Sequence, residues 1–145
     1  PVVLVHGNHD DPEDIARYCE GWENGHYLHG TSVTIGGQDF FGLGGEVPSR
    51  NAFEWNASES EADATRLLRT CPRNAILVTH TPPFAIVDLQ RDGTHEGSTA
   101  ILDGAITRTP RLLLCGHIHH AWGMAGQIGE TKVHNLGPTV NWFEV

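Results

Sequence analysis

The sequence predicts an α/β fold in which helices pack on a sheet, and three observations carry that prediction. Residues 2–5, 75–78 and 112–115 are short, wholly apolar runs, as strands buried on both faces are. Between them lie stretches with helical caps and helical spacing. Each apolar run leads at once into polar residues able to bind metal: Gly7-Asn8-His9-Asp10, Thr79-His80, and Gly116-His117-Ile118-His119.

The elements follow in order. Pro1 opens the chain with neither methionine nor leader and runs straight into the first strand, which predicts further chain upstream. A strand buried on both faces also predicts a neighbour on each edge. Asp11-Pro12-Glu13-Asp14 reads as an N-cap, a proline at the first helical position and acids in the first turn. Ile15, Tyr18, Cys19 and Trp22 then recur at i, i+3, i+4 and i+7, an amphipathic helix. From Thr31 to Leu43, alternating and β-branched residues flank Gly36-Gly37, the pattern of a β-hairpin, until Gly42-Leu43-Gly44-Gly45 breaks it. Gly44 and Gly45 read as a plain loop turn. Ser58 with Glu61 forms a capping box, and Ala64, Leu67 and Leu68 carry a helix to Thr70. After the strand at 75–78, Pro82-Pro83 stops any continuation. A third helix, apolar at Ile101, Leu102 and Ala105, spans 98–107 and precedes the strand at 111–115. Residues 124–135 read as a second hairpin turning at Gly129-Glu130.

Composition bounds the function. A chain of 145 residues predicts one domain over residues 1–145, and 39% apolar with 19% charged residues suits a packed core. Eighteen acidic against nine basic side chains give a formal charge of −9. That balance argues against a nucleic-acid or membrane-surface binder, so a phosphate partner must be met locally. No apolar run approaches the ~18 residues of a membrane span and no signal peptide opens the chain, which predicts a cytoplasmic protein. Cys19, Cys71 and Cys115 are odd in number, widely spaced and without a C-x-x-C pair. They signal neither a disulfide framework nor a cysteine zinc cage and read as small buried hydrophobes. The outlier is histidine, ten in all against one lysine and one methionine.

In α/β sheets, ligands bind beyond the carboxyl ends of strands, so the three polar loops are expected to meet. On an extended backbone His117 and His119 point to one side with Cα atoms ~6.5–7 Å apart, while Ile118 turns into apolar packing. They then address two metals ~3.5–4 Å apart. Glycines ahead of Asn8 and His117 suit tight turns. Imidazole nitrogen and amide oxygen without thiolate favour manganese, iron, zinc or cobalt over calcium or a structural zinc cage. Asn8, His80, His117 and His119 are neutral ligands, which leaves a positive pocket to draw phosphate.

Through Gly7-Asn8-His9-Asp10, His80-Thr81-Pro82 and Gly116-His117-Ile118-His119, in that order and at strand ends, the sequence resembles the calcineurin-like metallophosphoesterases. His95-Glu96-Gly97-Ser98 ahead of a helix looks closest to the small bacterial and MPPED-like branch. The resemblance implies an α/β metallophosphoesterase-type β-sandwich flanked by helices and incomplete at the N-terminus. The chain would then be the C-terminal two-thirds or so of the family fold, with an Asp-x-His and a Gly-Asp-x-x-Asp block expected upstream. Matched by motif, Asn8, His80 and His117 would bind one metal and His119 the other. His9 would be the general acid and Asp10 would orient it.

The implied reaction is hydrolysis of small phosphate esters, diesters rather than monoesters, by a metal-bound hydroxide at two divalent transition-metal ions (Mn, Fe or Zn). With only His119 on the second metal, the segment alone is expected to bind metal poorly and act slowly. Two alternatives stand beside this reading. One is a non-catalytic protein-binding scaffold of the same fold, against which the retained His9, His80, His117 and His119 speak. The other is a mononuclear zinc hydrolase built from His80, His117 and His119. Asn8 could instead cap a turn, and Asp10 or Asp11 the following helix. His6, His26, His29 and His134 read as structural, and His95 and His120 receive no role. The tryptophans read as core or rim residues.

Overall fold

The computed structural model describes residues 1–144. In chain order the elements are β1 (Val2–Leu4), α1 (Pro12–Glu20), β2 (Gly25–Tyr27), β3 (Thr31–Ile35), β4 (Gln38–Leu43), α2 (Glu61–Leu68), β5 (Ile76–Thr79), α3 (Thr99–Arg108), β6 (Leu112–Cys115), β7 (Ala125–Ile128) and β8 (Thr131–Asn135). β1 and β2 pair in parallel as a two-stranded sheet. The others form a six-stranded sheet in the order β3-β4-β5-β6-β8-β7. Its two antiparallel hairpins lie at the edges, and β4, β5, β6 and β8 run parallel through the middle.

The apolar runs of β5 and β6 sit where the pattern requires, paired on both edges. Phe41, Leu77, Leu113 and Val133 stand opposite one another across four strands, each fully buried. Burying a side chain of that size stabilises by ~1.5–3 kcal/mol, so this row anchors the sheet. Ala64 and Leu68 of α2 and Ile101 and Ala105 of α3 join the same core. The two helices touch closely, since a Cβ on Gly104 would lie 3.0 Å from Leu68 Cδ1. No described helix is long and apolar enough to cross a membrane.

Three sequence expectations change. β1 is not buried on both faces: it pairs only with β2 among the described residues, and Val2 is 40% exposed. An apolar run reads alike whether or not its second face is covered. β2, three residues long with no periodic signal, was not anticipated from the sequence. The cap of α2 is Ser60 rather than Ser58, for the Ser60 hydroxyl accepts from Asp63 N at 3.0 Å.

Glu61 instead reaches the next helix. Its carboxylate accepts from Ser98 Oγ at 2.7 Å, Thr99 N at 3.0 Å and Ala100 N at 2.7 Å, placing a negative charge on the N-terminus of α3. The α1 cap stands as read, with Asp11 accepting from Glu13 N and Asp14 N, and Ser98, read as the first residue of the third helix, is its N-cap instead and accepts from Ile101 N. The apolar face of α1 is only half covered, and Tyr18 is 81% exposed.

Glu61→Ala is expected to lower stability by ~1–2 kcal/mol and Ser60→Ala by ~1 kcal/mol, with Ser58→Ala costing less than either. Urea denaturation measures all three, and a larger loss for Ser58→Ala would reassign the cap.

Candidate functional site

Parallel pairing of β5 with β6, Val78 opposite Leu114, brings their carboxyl-end loops side by side. His80 N donates to Leu43 O and Gly116 N to His80 O, both at 3.0 Å, which extends the order past the strands. The loop after β1 is tied to the same end by Gly45 N to His6 O and Ala57 N to Asn8 O, each 2.9 Å. Gly44 is required there, since a Cβ would lie 2.2 Å from His6 Nδ1. The three loops therefore open on one cleft of about 970 Å³, lined by Asn8, His9, Glu46, His80, His117 and His119.

Within it, His80 Nε2 lies 3.1 Å from Asn8 Oδ1, and the His80 and His117 ring centroids are 4.7 Å apart. Asn8 Nδ2 donates to Asn56 Oδ1 at 3.0 Å, and Asn56 Nδ2 to Glu46 Oε2 at 2.9 Å. Glu46 Oε1 then faces His117 Nε2 at 3.6 Å. A chain of polar contacts so runs from His80 through Asn8, Asn56 and Glu46 to His117. Glu46 and Asn56 were not anticipated. The available signal was an acid just past the apolar end of β4, since β4 is also a parallel strand whose carboxyl end faces this cleft.

Burial, then the neighbouring His117, pushes His80 down to about 4. Burial also lowers His117, against an opposing pull from Glu46. Both imidazoles are thus neutral near pH 7, each with one ring nitrogen able to offer its lone pair to a cation. His6, hydrogen-bonded to Tyr27 Oη through Nδ1 at 2.8 Å, is pushed to about 4 by burial and then by His29. Burial raises the Cys71 thiol to about 11 and the Cys115 thiol further still, so neither offers a thiolate.

The Gly116–His119 loop is not extended. His117 has φ 63°, and Ile118 N donates to Gly116 O at 2.7 Å, a tight three-residue turn centred on a histidine. The left-handed position falls on His117 and not on the glycine before it. Asn135 of β8 braces the turn, its Nδ2 lying 3.2 Å from both Gly116 O and Ile118 O, the carbonyls either side of His117. Ile118 is buried as expected. His119 begins a short 3-10 turn, exposed, with its ring centroid 4.3 Å from that of Trp122.

Asp10 turns back to accept from Gly7 N at 2.6 Å. His9 makes no side-chain hydrogen bond among the described residues, and its ring rests 4.7 Å from Trp55. Asp11, not Asp10, caps α1. His95 Nδ1 donates to the buried Asp88 Oδ1 at 2.6 Å, and His120 is exposed.

Among the described residues no three His, Cys, Asp or Glu side chains converge as a closed metal cage. The tight pair is an imidazole nitrogen with an amide oxygen. Neighbouring ligand atoms on a cation with ~2.1 Å bonds stand ~3 Å apart, so the 3.1 Å separation of His80 Nε2 and Asn8 Oδ1 fits one divalent ion.

A sequence model described as calcineurin-like phosphoesterase matches residues 1–121. One crystal structure superposes with a TM-score of 0.76 at 24% identity, over 93% of this chain and 56% of its own. The crystal structure of TT1561 of Thermus thermophilus superposes at 0.68 and 20% identity, over 94% of this chain and 63% of its own. At these identities the likeness is one of fold, and the chain spans 56% and 63% of the two structures' lengths. No curated protein matches the chain.

Two outcomes are expected. Asn135→Ala lowers stability by ~1–3 kcal/mol, by unpairing buried carbonyls, as urea denaturation reports. The metal-free protein loses stability as pH falls from about 6.5 to about 4, because unfolded His6 and His80 take up protons there while the folded ones stay neutral. Unfolding midpoints that rise over that window would contradict the assignment.

Proposed function

The chain belongs to the calcineurin-like phosphoesterase family, and from that premise we propose that its cleft hydrolyses small phosphate esters with divalent metal, diesters in preference to monoesters. The observation that carries the reading is the delivery of Asn8, His9, His80, His117 and His119 to one cleft by three strand-end loops. Asn8, His80 and His117 would hold one ion, and His119 would take a second. A bound divalent cation supplies Lewis acidity toward a phosphoryl oxygen and the attacking water.

The chain's own groups do the rest. Neutral His80 and His117 would add no negative charge of their own to a bound cation, whose positive field would help to draw the phosphate. His9, at the cleft edge with its ring nitrogens unengaged among the described residues, gives its proton to the departing alkoxide oxygen. Asp10 holds the turn that carries Asn8 and His9 by fixing Gly7 N.

The diester preference is what the family resemblance implies. Glu46 and Glu96 line the cleft, and Arg50, whose guanidinium donates to Glu96 O, sets a positive charge beside them. A mononuclear site of His80, His117 and His119 needs all three imidazoles on one ion; His80 and His117 stand 4.7 Å apart, while the His119 ring packs 4.3 Å from Trp122.

On the complete gene product, elemental analysis is expected to count two transition-metal ions per chain, and manganese to support hydrolysis of an activated phosphodiester. One ion per chain would favour the mononuclear site, and no turnover with Mn, Fe, Zn or Co would sink the enzyme reading. His117→Ala should remove metal. His9→Ala should keep metal and lose ~10²–10⁴-fold in rate on poor leaving groups but little on good ones; equal losses on both would remove His9 as the acid.

A further inference from the structure

We propose that Phe53 and Trp55 form a stacking platform beside His9 for a planar, neutral or cationic ring on the leaving alcohol, a substrate preference that rests on the phosphoesterase reading. The two rings are 62% and 52% exposed, 11° from parallel, with centroids 5.3 Å apart. Trp55 lies 4.7 Å from His9, so three rings run in series from the candidate cleft to solvent.

The platform is fixed in place at its base. Phe53 N donates to Asn51 Oδ1 and Asn56 N to Phe53 O, which closes a turn around the aromatic pair. The buried Asn56 side chain is bonded to both Asn8 and Glu46, and Ala57 N donates to Asn8 O. The loop is thus joined to the site at one end while its large apolar rings face water at the other. Exposed aromatic faces held beside a proton donor suit a ligand ring better than a core.

Charge selects the ring. His9 also lines a second cleft, of about 830 Å³, walled by Trp55. Asp10, Asp11, Glu13, Glu54 and Glu59 line it, with no lysine or arginine among the described residues. An alcohol bearing a further phosphate or carboxylate is repelled there, and a ring bearing positive charge gains from both the carboxylates and the aromatic faces.

The test compares methyl phosphodiesters of benzyl, cyclohexylmethyl, 4-aminomethylbenzyl and 4-carboxybenzyl alcohol with the metal-loaded gene product, following release of each alcohol. These alcohols leave with similar basicity, so displacement of His9 slows all of them alike and cancels in ratios. Benzyl is expected to exceed cyclohexylmethyl about tenfold in kcat/KM, mainly through KM. The aminomethyl ester should match or exceed benzyl, and the carboxy ester should fall well below it. Phe53→Ala and Trp55→Ala should bring the benzyl to cyclohexylmethyl ratio toward one, and Trp55→Phe should keep it.

A ratio of one in the unaltered protein, or a ratio unmoved by both alanine variants, overturns the platform. No turnover of any ester overturns the phosphoesterase reading instead. The platform is then judged by NMR of the Trp55 indole N–H, identified by its loss in Trp55→Phe. Benzylammonium should shift that signal more than cyclohexylmethylammonium does, and equal or absent shifts overturn the proposal.

Discussion

Asn8 joins two sheets that share no strand. Its Oδ1 meets His80 beyond the end of β5, its Nδ2 meets Asn56, and its backbone carbonyl accepts from Ala57. β1, which precedes it, belongs to the two-stranded sheet, while β5 belongs to the six-stranded one. Each polar group of the amide therefore has a partner on a different segment, and leaving one of them buried and unpaired costs ~1–3 kcal/mol. That constraint fixes where the turn carrying Asn8 and His9 stands relative to His80 and His117.

Electrostatics follows from the same arrangement. Packing two imidazoles 4.7 Å apart under partial burial makes a second positive charge costly, so the pair stays neutral and electron-rich. Glu46 sits beyond His117 as a carboxylate able to answer a cation placed between the loops. A site built in this way is stable near neutrality and vulnerable to acid, through imidazoles that must charge rather than through carboxylates that must be neutralised.

What the sequence made legible was set by periodicity and position. β5 and β6, the two hairpins, α3 and the convergence of the three polar loops could be read because uninterrupted apolar runs and glycine turns have few other physical meanings. The covering of β1 could not, because its residues carry no mark of which face is covered. Ser58 and Ser60 offer equivalent capping patterns, with Glu61 and Asp63 respectively, and only the tertiary pull of Glu61 toward Ser98 separates them. Glu46 was hidden in a segment that looked like a plain glycine turn. A tight turn was expected at Gly116, and its positive φ falls on His117, a choice local propensity cannot reveal because the brace comes from β8.

That last point changes how the C-terminal hairpin is understood. The family match ends at residue 121, before β7 begins, so β7 and β8 could pass for an appendage. Yet β8 pairs directly with β6, and Leu136 N donates to Cys115 O at 2.8 Å, carrying the pairing up to the candidate metal-ligand loop. Asn135 then places its amide against the carbonyls flanking His117. A histidine at positive φ is strained on its own and persists only where its surroundings over-determine it. Supplying that restraint makes the hairpin part of the site, although it contributes none of the candidate ligands.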